Sequence, residues 1–400
     1  MTAPHDPLPS RRLIICFDGT GNEIEQNESN ILRLYKCLEH SDTQLVYYVP
    51  GVGTTDRARI SGHWLEGFRE LQGLVFGQGL EANVLSAFEF LCRNYREGDI
   101  LYFFGYSRGA YTARVLAGFI NQFGLVAPHE LHLIRPAFRI YRSLTETDPR
   151  KAYADLRIQT QFFHMTHPPI RFLGLWDTVS SMIRLRLGAE RWIQFGTHAS
   201  VNENPSVQAV RHVLSIDERR RLFRPQFWEP GPFYGKRKGN AATAEDQDVK
   251  QVWFPGTHTD VAGSVSEAQA GLAKVSFVWM REELDALDTP LAFEEELYRR
   301  YMLGEPDTVT KEMDLDFVAP NPLSTLHDQL KKNWAWRALE HWPRRNADSS
   351  WPDQKSRPGW YRPRGQHRYI AEDADIHPAA FFRRREIKAY DPANLRRFDG

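Results

Sequence analysis

The sequence predicts an α/β fold: a mostly parallel sheet with helices on both faces, helical insertions and an irregular C-terminal tail. Three observations lead there. Short apolar runs, each ending in a polar loop, recur through the first two thirds of the chain. Runs of that kind read as strands buried on both sides. Helical stretches separate them, the alternation expected of a parallel sheet. One run also passes through a sharp, glycine-flanked turn directly into an alanine-rich helix.

Residues 11–17 are a basic pair followed by an unbroken apolar run, a first strand that ends in the loop Asp18-Gly19-Thr20-Gly21-Asn22. Asn30 to Leu38 has the spacing of an amphipathic helix, and Gln44 to Val49 that of a second strand closed by the glycine-containing loop 50–55. Leu80 to Tyr95 reads as a long helix, with Leu85, Phe88, Leu91 and Cys92 at core-facing positions. Leu101 to Phe104 is a buried strand, and Ala110 to Ile120 the helix after it. Later strands are Ile170 to Trp176 and Val249 to Phe254. The segments 128–165 and 182–230 are expected as helical insertions in a core spanning 11–303. From residue 304 to 400 the composition shifts to Trp, Arg and Pro, with Trp334, Trp336, Trp342, Trp351 and Trp360. That region is expected to pack on the core as a lid or as a membrane or partner surface.

Lys plus Arg and Asp plus Glu balance at 51 each, so no global field recruits nucleic acid or an anionic membrane. The balance is uneven locally, however: from Lys331 onward there are 16 basic against 9 acidic side chains. Cys16, Cys37 and Cys92 are scattered in apolar contexts, which predicts buried thiols in a reducing compartment and neither a metal site nor a disulfide framework. No cofactor is expected. The first twelve residues lack the apolar stretch of a signal peptide, and no run approaches the roughly 18 apolar residues of a membrane span. Synthesis in the cytoplasm is expected, with any delivery left to a specialised secretion machine.

Gly105-Tyr106-Ser107-Arg108-Gly109 carries the chemistry. Strand, tight turn and helix in that order make a nucleophile elbow, in which small flanking residues let strand and helix approach and Ser107 stands exposed at the turn. An unassisted serine hydroxyl is a poor nucleophile at neutral pH and needs a base, itself held by an acid. In an α/β-hydrolase the acid and then the histidine follow the serine in chain order, each after a strand end. Asp177 directly follows the strand 170–176, and His258 stands in the loop after 249–254. His327 and His377 are reserve candidates. An oxyanion would be met by the Arg108 amide and by an amide of the first-strand loop, from Gly19 or Thr20, with Asp18 ordering that loop and Asp260 supporting the histidine. Asp18-Gly19-Thr20 also matches part of a phosphoaspartate phosphatase pattern, but Cys16 stands where that chemistry needs a second Asp.

The chain resembles the uncharacterised α/β-hydrolase domain family, domain of unknown function 2235, which includes the catalytic domains of type VI secretion phospholipase effectors. The resemblance lies in 17–22, 48–54, 76–80, 104–114, 175–179, 214–220, 253–263, 326–328 and 376–378, in that order. It implies Ser107, Asp177 and His258 as catalytic positions, a lipid or acyl-ester substrate, peripheral membrane contact, and a secretion carrier or immunity protein as candidate partners. Thr257, Ala262 and Gly263-Ser264 depart from the family pattern around the histidine, and Gln329 replaces a serine after Asp328. The expected activity is that of a serine esterase or lipase of phospholipase A type. Two alternatives stand beside it: a catalytically silent binding or regulatory domain, and a metal-assisted hydrolase using Asp18, Asp177, His258 and Asp260.

Overall fold

β1 (Arg12–Phe17) lies in the interior of the sheet, and the chain builds outward from it in both directions. The computed structural model describes residues 10–19, 27–51, 77–143, 165–179, 183–185, 193–195, 201–235, 244–306, 317–342, 344–345 and 360–398. Within them β2 (Gln44–Val49), β3 (Ile100–Tyr106), β4 (Ile170–Trp176), β5 (Val207–Ser215), β6 (Asp248–Phe254) and β7 (Asp375–Ile376) join β1 in one sheet. The strand order is β7-β6-β5-β4-β3-β1-β2 and every pairing is parallel. The chain reverses direction across the sheet between β2 and β3. Loops at the carboxyl ends therefore diverge beside β1 and β3, where such sheets place their ligands.

Alternation along each strand explains the unbroken apolar runs, because both faces are covered. Leu13, Ile15, Phe17, Leu101 and Phe103 pack against α2 (Gly77–Asn94), α3 (Arg108–Phe123) and α4 (Ile134–Ser143). Ile14, Cys16, Tyr102 and Phe104 face the other way, against α1 (Asn30–Cys37), α5 (His258–Ala262), α6 (Gly271–Asp285) and α7 (Glu295–Leu303). Cys16, Cys37 and Cys92 are all buried free thiols.

The expected helical insertion over 182–230 is corrected by β5, a nine-residue strand in the middle of the sheet. Arg211 and His212 interrupt its apolar pattern in sequence, yet both are buried and paired. Arg211 bridges Glu283 at 2.5 Å and Asp248 at 2.6 Å. His212 accepts from the Thr178 amide at 3.1 Å and donates to Gln251 Oε1 at 3.2 Å. Burial and the neighbouring Arg114 push its pKa down to about 3, so it is a neutral core group. Residues 183–185 and 193–195 pair as a short antiparallel ribbon, again not helix. The 128–165 insertion does contain α4, and its residues 144–164 lie outside those described.

The C-terminal tail is irregular over much of its length but not separate from the sheet. It supplies edge strand β7, α8 (Trp334–His341) and α9 (Pro378–Glu386), and Ile370, Ala380, Tyr390 and Leu395 form a third core with Leu214, Ile216 and Trp253. Trp336 is buried, whereas Trp334 and Trp342 are 64% and 69% exposed. The side chains of Trp351 and Trp360 fall outside the described residues. No described helix is long and apolar enough to cross a membrane.

Candidate active site

Ser107 occupies the turn between β3 and α3 with φ 57° and ψ −118°, a conformation that side chains rarely adopt. The glycines around it are sterically required. A Cβ on Gly105 would come within 2.5 Å of Ala110 Cα, and one on Gly109 would strike the Phe17 carbonyl. Asp177 follows β4, also at positive φ (44°), and its amide is tied to Val213 O at 2.8 Å. His258 is the first residue of α5, whose N-cap is Thr257. The sequence placed it in a loop; the short helical turn fixes it more firmly.

These three side chains, far apart in sequence, meet at the carboxyl edge of the sheet. His258 Nε2 lies 2.8 Å from Ser107 Oγ, and His258 Nδ1 lies 2.5 Å from Asp177 Oδ2. Burial alone would raise the Asp177 carboxyl, but the Arg368 guanidinium and the His258 contacts outweigh it and hold the group well below the usual carboxylate range. An ionised carboxylate only accepts, so Nδ1 carries the imidazole proton and Nε2 accepts from the serine hydroxyl. Burial lowers the His258 pKa and the Asp177 carboxylate opposes that shift; the result lies below the ordinary histidine value. The imidazole is therefore neutral at pH 7 and able to take a proton.

The supporting carboxylates sit one layer further out. Asp260 accepts from the Thr257 amide (2.9 Å), the Thr257 hydroxyl (2.8 Å) and the His327 amide (3.0 Å), and pairs with His327 Nδ1 at 2.6 Å. Thr257, a departure from the family pattern, thus helps to aim the histidine. His327 is committed to Asp260 and Gln269, and His377 caps α9 and stacks on Phe254. Asp18 takes hydrogen bonds from Ser29 Oγ, Tyr48 Oη (2.7 Å each) and the Gly19 amide (2.6 Å). It does order the loop, but the Gly19 N–H points at this carboxylate. Thr20 lies outside the described residues. Among those residues no group of three or more His, Cys, Asp or Glu side chains is disposed to hold a metal ion, so the four candidate ligands do not form a set.

The profile of the family described as T6SS, phospholipase effector Tle1-like, catalytic domain, matches residues 11–283. The chain belongs to this family. A yeast relative, the uncharacterized protein YEL023C of Saccharomyces cerevisiae, is 32% identical over 241 residues, 56% of this chain and 34% of its own. Two solved structures are similar at 18% identity. An uncharacterized protein from Pseudomonas aeruginosa has a TM-score of 0.37, over 72% of this chain and 47% of the other. The Tle1 effector bound to the VgrG spike of the type 6 secretion system has a TM-score of 0.32, over 66% and 53%. The chain therefore spans about a third to a half of the length of these proteins.

Several partners of the site were not foreseen from sequence. Ser215, at the end of β5, donates its amide (3.1 Å) and hydroxyl (3.0 Å) to Asp177. Glu218 pairs with Arg220 at 2.9 Å and accepts from the His258 amide at 3.4 Å. The Arg220 guanidinium lies 3.7 Å from the centre of the Phe223 ring, which in turn meets the imidazole edge-on. Tyr106 also packs against His258. The run 214–220 stood out as a family signature, and its acid–base spacing was the one available signal. Arg368 carried none.

Proposed function

We propose that this protein is a serine hydrolase that cleaves the acyl esters of phospholipids. The hydrogen-bonded chain from Ser107 through His258 to the buried Asp177 carries the reading. His258 Nε2 takes the serine proton as Oγ attacks the acyl carbonyl, and Asp177 stabilises the imidazolium that forms. The tetrahedral oxyanion is received at the N-terminus of α3, by the Arg108 amide. Collapse of the intermediate breaks the ester bond, and the imidazolium returns its proton to the leaving alcohol. Water, deprotonated in turn by His258, then releases the fatty acid from Ser107. Family membership supports phospholipid as the substrate class and a type VI carrier as the route of delivery. Exposed Trp334 and Trp342, at the two ends of α8, suit contact with a lipid surface.

Reaction with a fluorophosphonate probe tests the chemistry. Wild-type protein should be labelled at Ser107 and release fatty acid from phospholipid vesicles, and Ser107→Ala should do neither. A wild-type chain that is folded but unlabelled would favour the silent-domain alternative.

A further inference from the structure

We propose that Arg368, contributed by the C-terminal region beyond the family match, is a positioning residue that completes the active site by clamping Asp177. Its guanidinium makes a two-pronged contact, Nη1 to Asp177 Oδ1 at 2.6 Å and Nη2 to Asp177 Oδ2 at 3.0 Å. Nη1 also donates to Ser215 Oγ (2.6 Å) and Ser215 O (3.1 Å), and Nη2 to the Phe223 carbonyl. One planar cation thus ties together the acid, the end of β5 and the segment that carries the ring beside His258. The arginine is itself held in register: Asn394 Nδ2 donates both to the Arg368 carbonyl (3.1 Å) and to the Ile216 carbonyl (3.0 Å). Arg368 and Asp177 are 4% and 0% exposed, so neither is screened by water.

The charge arithmetic gives the clamp a function. An isolated buried carboxylate would shed its charge by taking up a proton, and Asp177 could then no longer stabilise the imidazolium that forms on His258. A compensating cation keeps it ionised. The same cation offsets the pull of Asp177 on the imidazolium, which leaves His258 neutral at lower pH. The other groups facing His258 are Tyr106 from β3, the self-compensating Glu218–Arg220 pair after β5, and Asp260 on its own helix, which is paired with His327. Arg368 is therefore the cation that balances Asp177. Lysine would keep the charge but, as a point donor, could not span both carboxylate oxygens and the two carbonyls.

Provided that Ser107 is the nucleophile, as proposed above, the pH dependence of fluorophosphonate labelling reads this clamp. Arg368→Met should slow labelling by about 100-fold, the scale of a misaligned catalytic group, with Arg368→Lys intermediate. In Arg368→Met the acid limb of the pH profile should move to higher pH, because without the cation Asp177 protonates earlier or the imidazole becomes more basic; Arg368→Lys, which keeps the charge, should move it less. On an Asp177→Asn background Arg368→Met should cost nothing more, since its partner charge is gone. Circular dichroism checks folding, and if Arg368→Met is unfolded the neutral Arg368→Gln supplies the limb. A folded neutral variant with an unmoved limb, or an equal loss on both backgrounds, overturns the proposal. NMR titration of the His258 ring separates this from the catalytic reading. If wild-type Ser107 is never labelled, the hydrolase reading fails, while a raised His258 pKa in the folded neutral variant still supports the clamp and an unchanged one sinks it.

Discussion

Ser107 shows what a single backbone conformation costs and provides. At φ 57° and ψ −118° it is held by the Trp176 carbonyl, which accepts its amide at 2.9 Å, and by the close approach of β3 to α3. Strain of this kind is worth roughly 1–3 kcal/mol and is retained where geometry serves a site. Ser107→Gly should therefore be more stable than Ser107→Ala by about 1 kcal/mol, even after the greater freedom of glycine in the unfolded chain is subtracted. Both lose the contact to His258, so the difference isolates the backbone. Equal melting temperatures for the two variants would show that the elbow is unstrained. Ser107, Asp177 and His258 were legible because each closes a strand-like run, and strand ends converge on one edge. Arg368 was not legible: it is one of sixteen basic residues from Lys331 onward, and nothing local distinguishes the one that reaches a carboxylate 191 positions earlier.

At the scale of elements, the loops after β5 and β6 are stitched together by Asp217. Its carboxylate accepts from the Gly256 amide at 2.7 Å and the Tyr390 hydroxyl at 2.8 Å, and its own amide donates to Gly256 O at 3.0 Å. Gly256 lies two residues before His258, so the stitch sets the entry to α5. Burial pushes the Asp217 pKa up to about 6, against these two hydrogen bonds. A carboxyl that titrates higher in the folded chain than in the unfolded one favours folding at low pH, and that advantage is lost as pH rises through about 6. Ionised Asp217 then weakens the fold by roughly 3 kcal/mol at most. Asp217→Asn keeps an accepting oxygen without the charge. Its melting temperature relative to wild type should rise from pH 5 to pH 8, and a constant difference over that range would reject the account. The sequence concealed β5 for a related reason. Charged and imidazole side chains at 211 and 212 read as surface residues, and only tertiary partners from β6, α6 and the loop after β4 make them core.

Across the whole molecule, the part matched by the family profile and the part that folds are not the same. The match ends at residue 283, and the composition change at 304 set a core of 11–303 apart from a tail expected to pack on it. Yet Ile370, Tyr390 and Leu395 close the third core over Leu214, Ile216 and Trp253, and β7 covers the edge of β6. Burying three such side chains is worth about 1.5–3 kcal/mol each. That sum rivals the entire stability of an ordinary domain, about 5–15 kcal/mol. Removing the tail would also leave Asp177 a buried anion without its cation and bare the main chain of β6 for pairing with other molecules. A chain truncated after Leu303 is therefore expected to lose its cooperative thermal transition, bind a hydrophobic dye and fail to react with fluorophosphonate. A truncated protein that melts cooperatively and is labelled at the wild-type rate would establish 11–303 as a self-sufficient catalytic unit and reduce the tail to a covering.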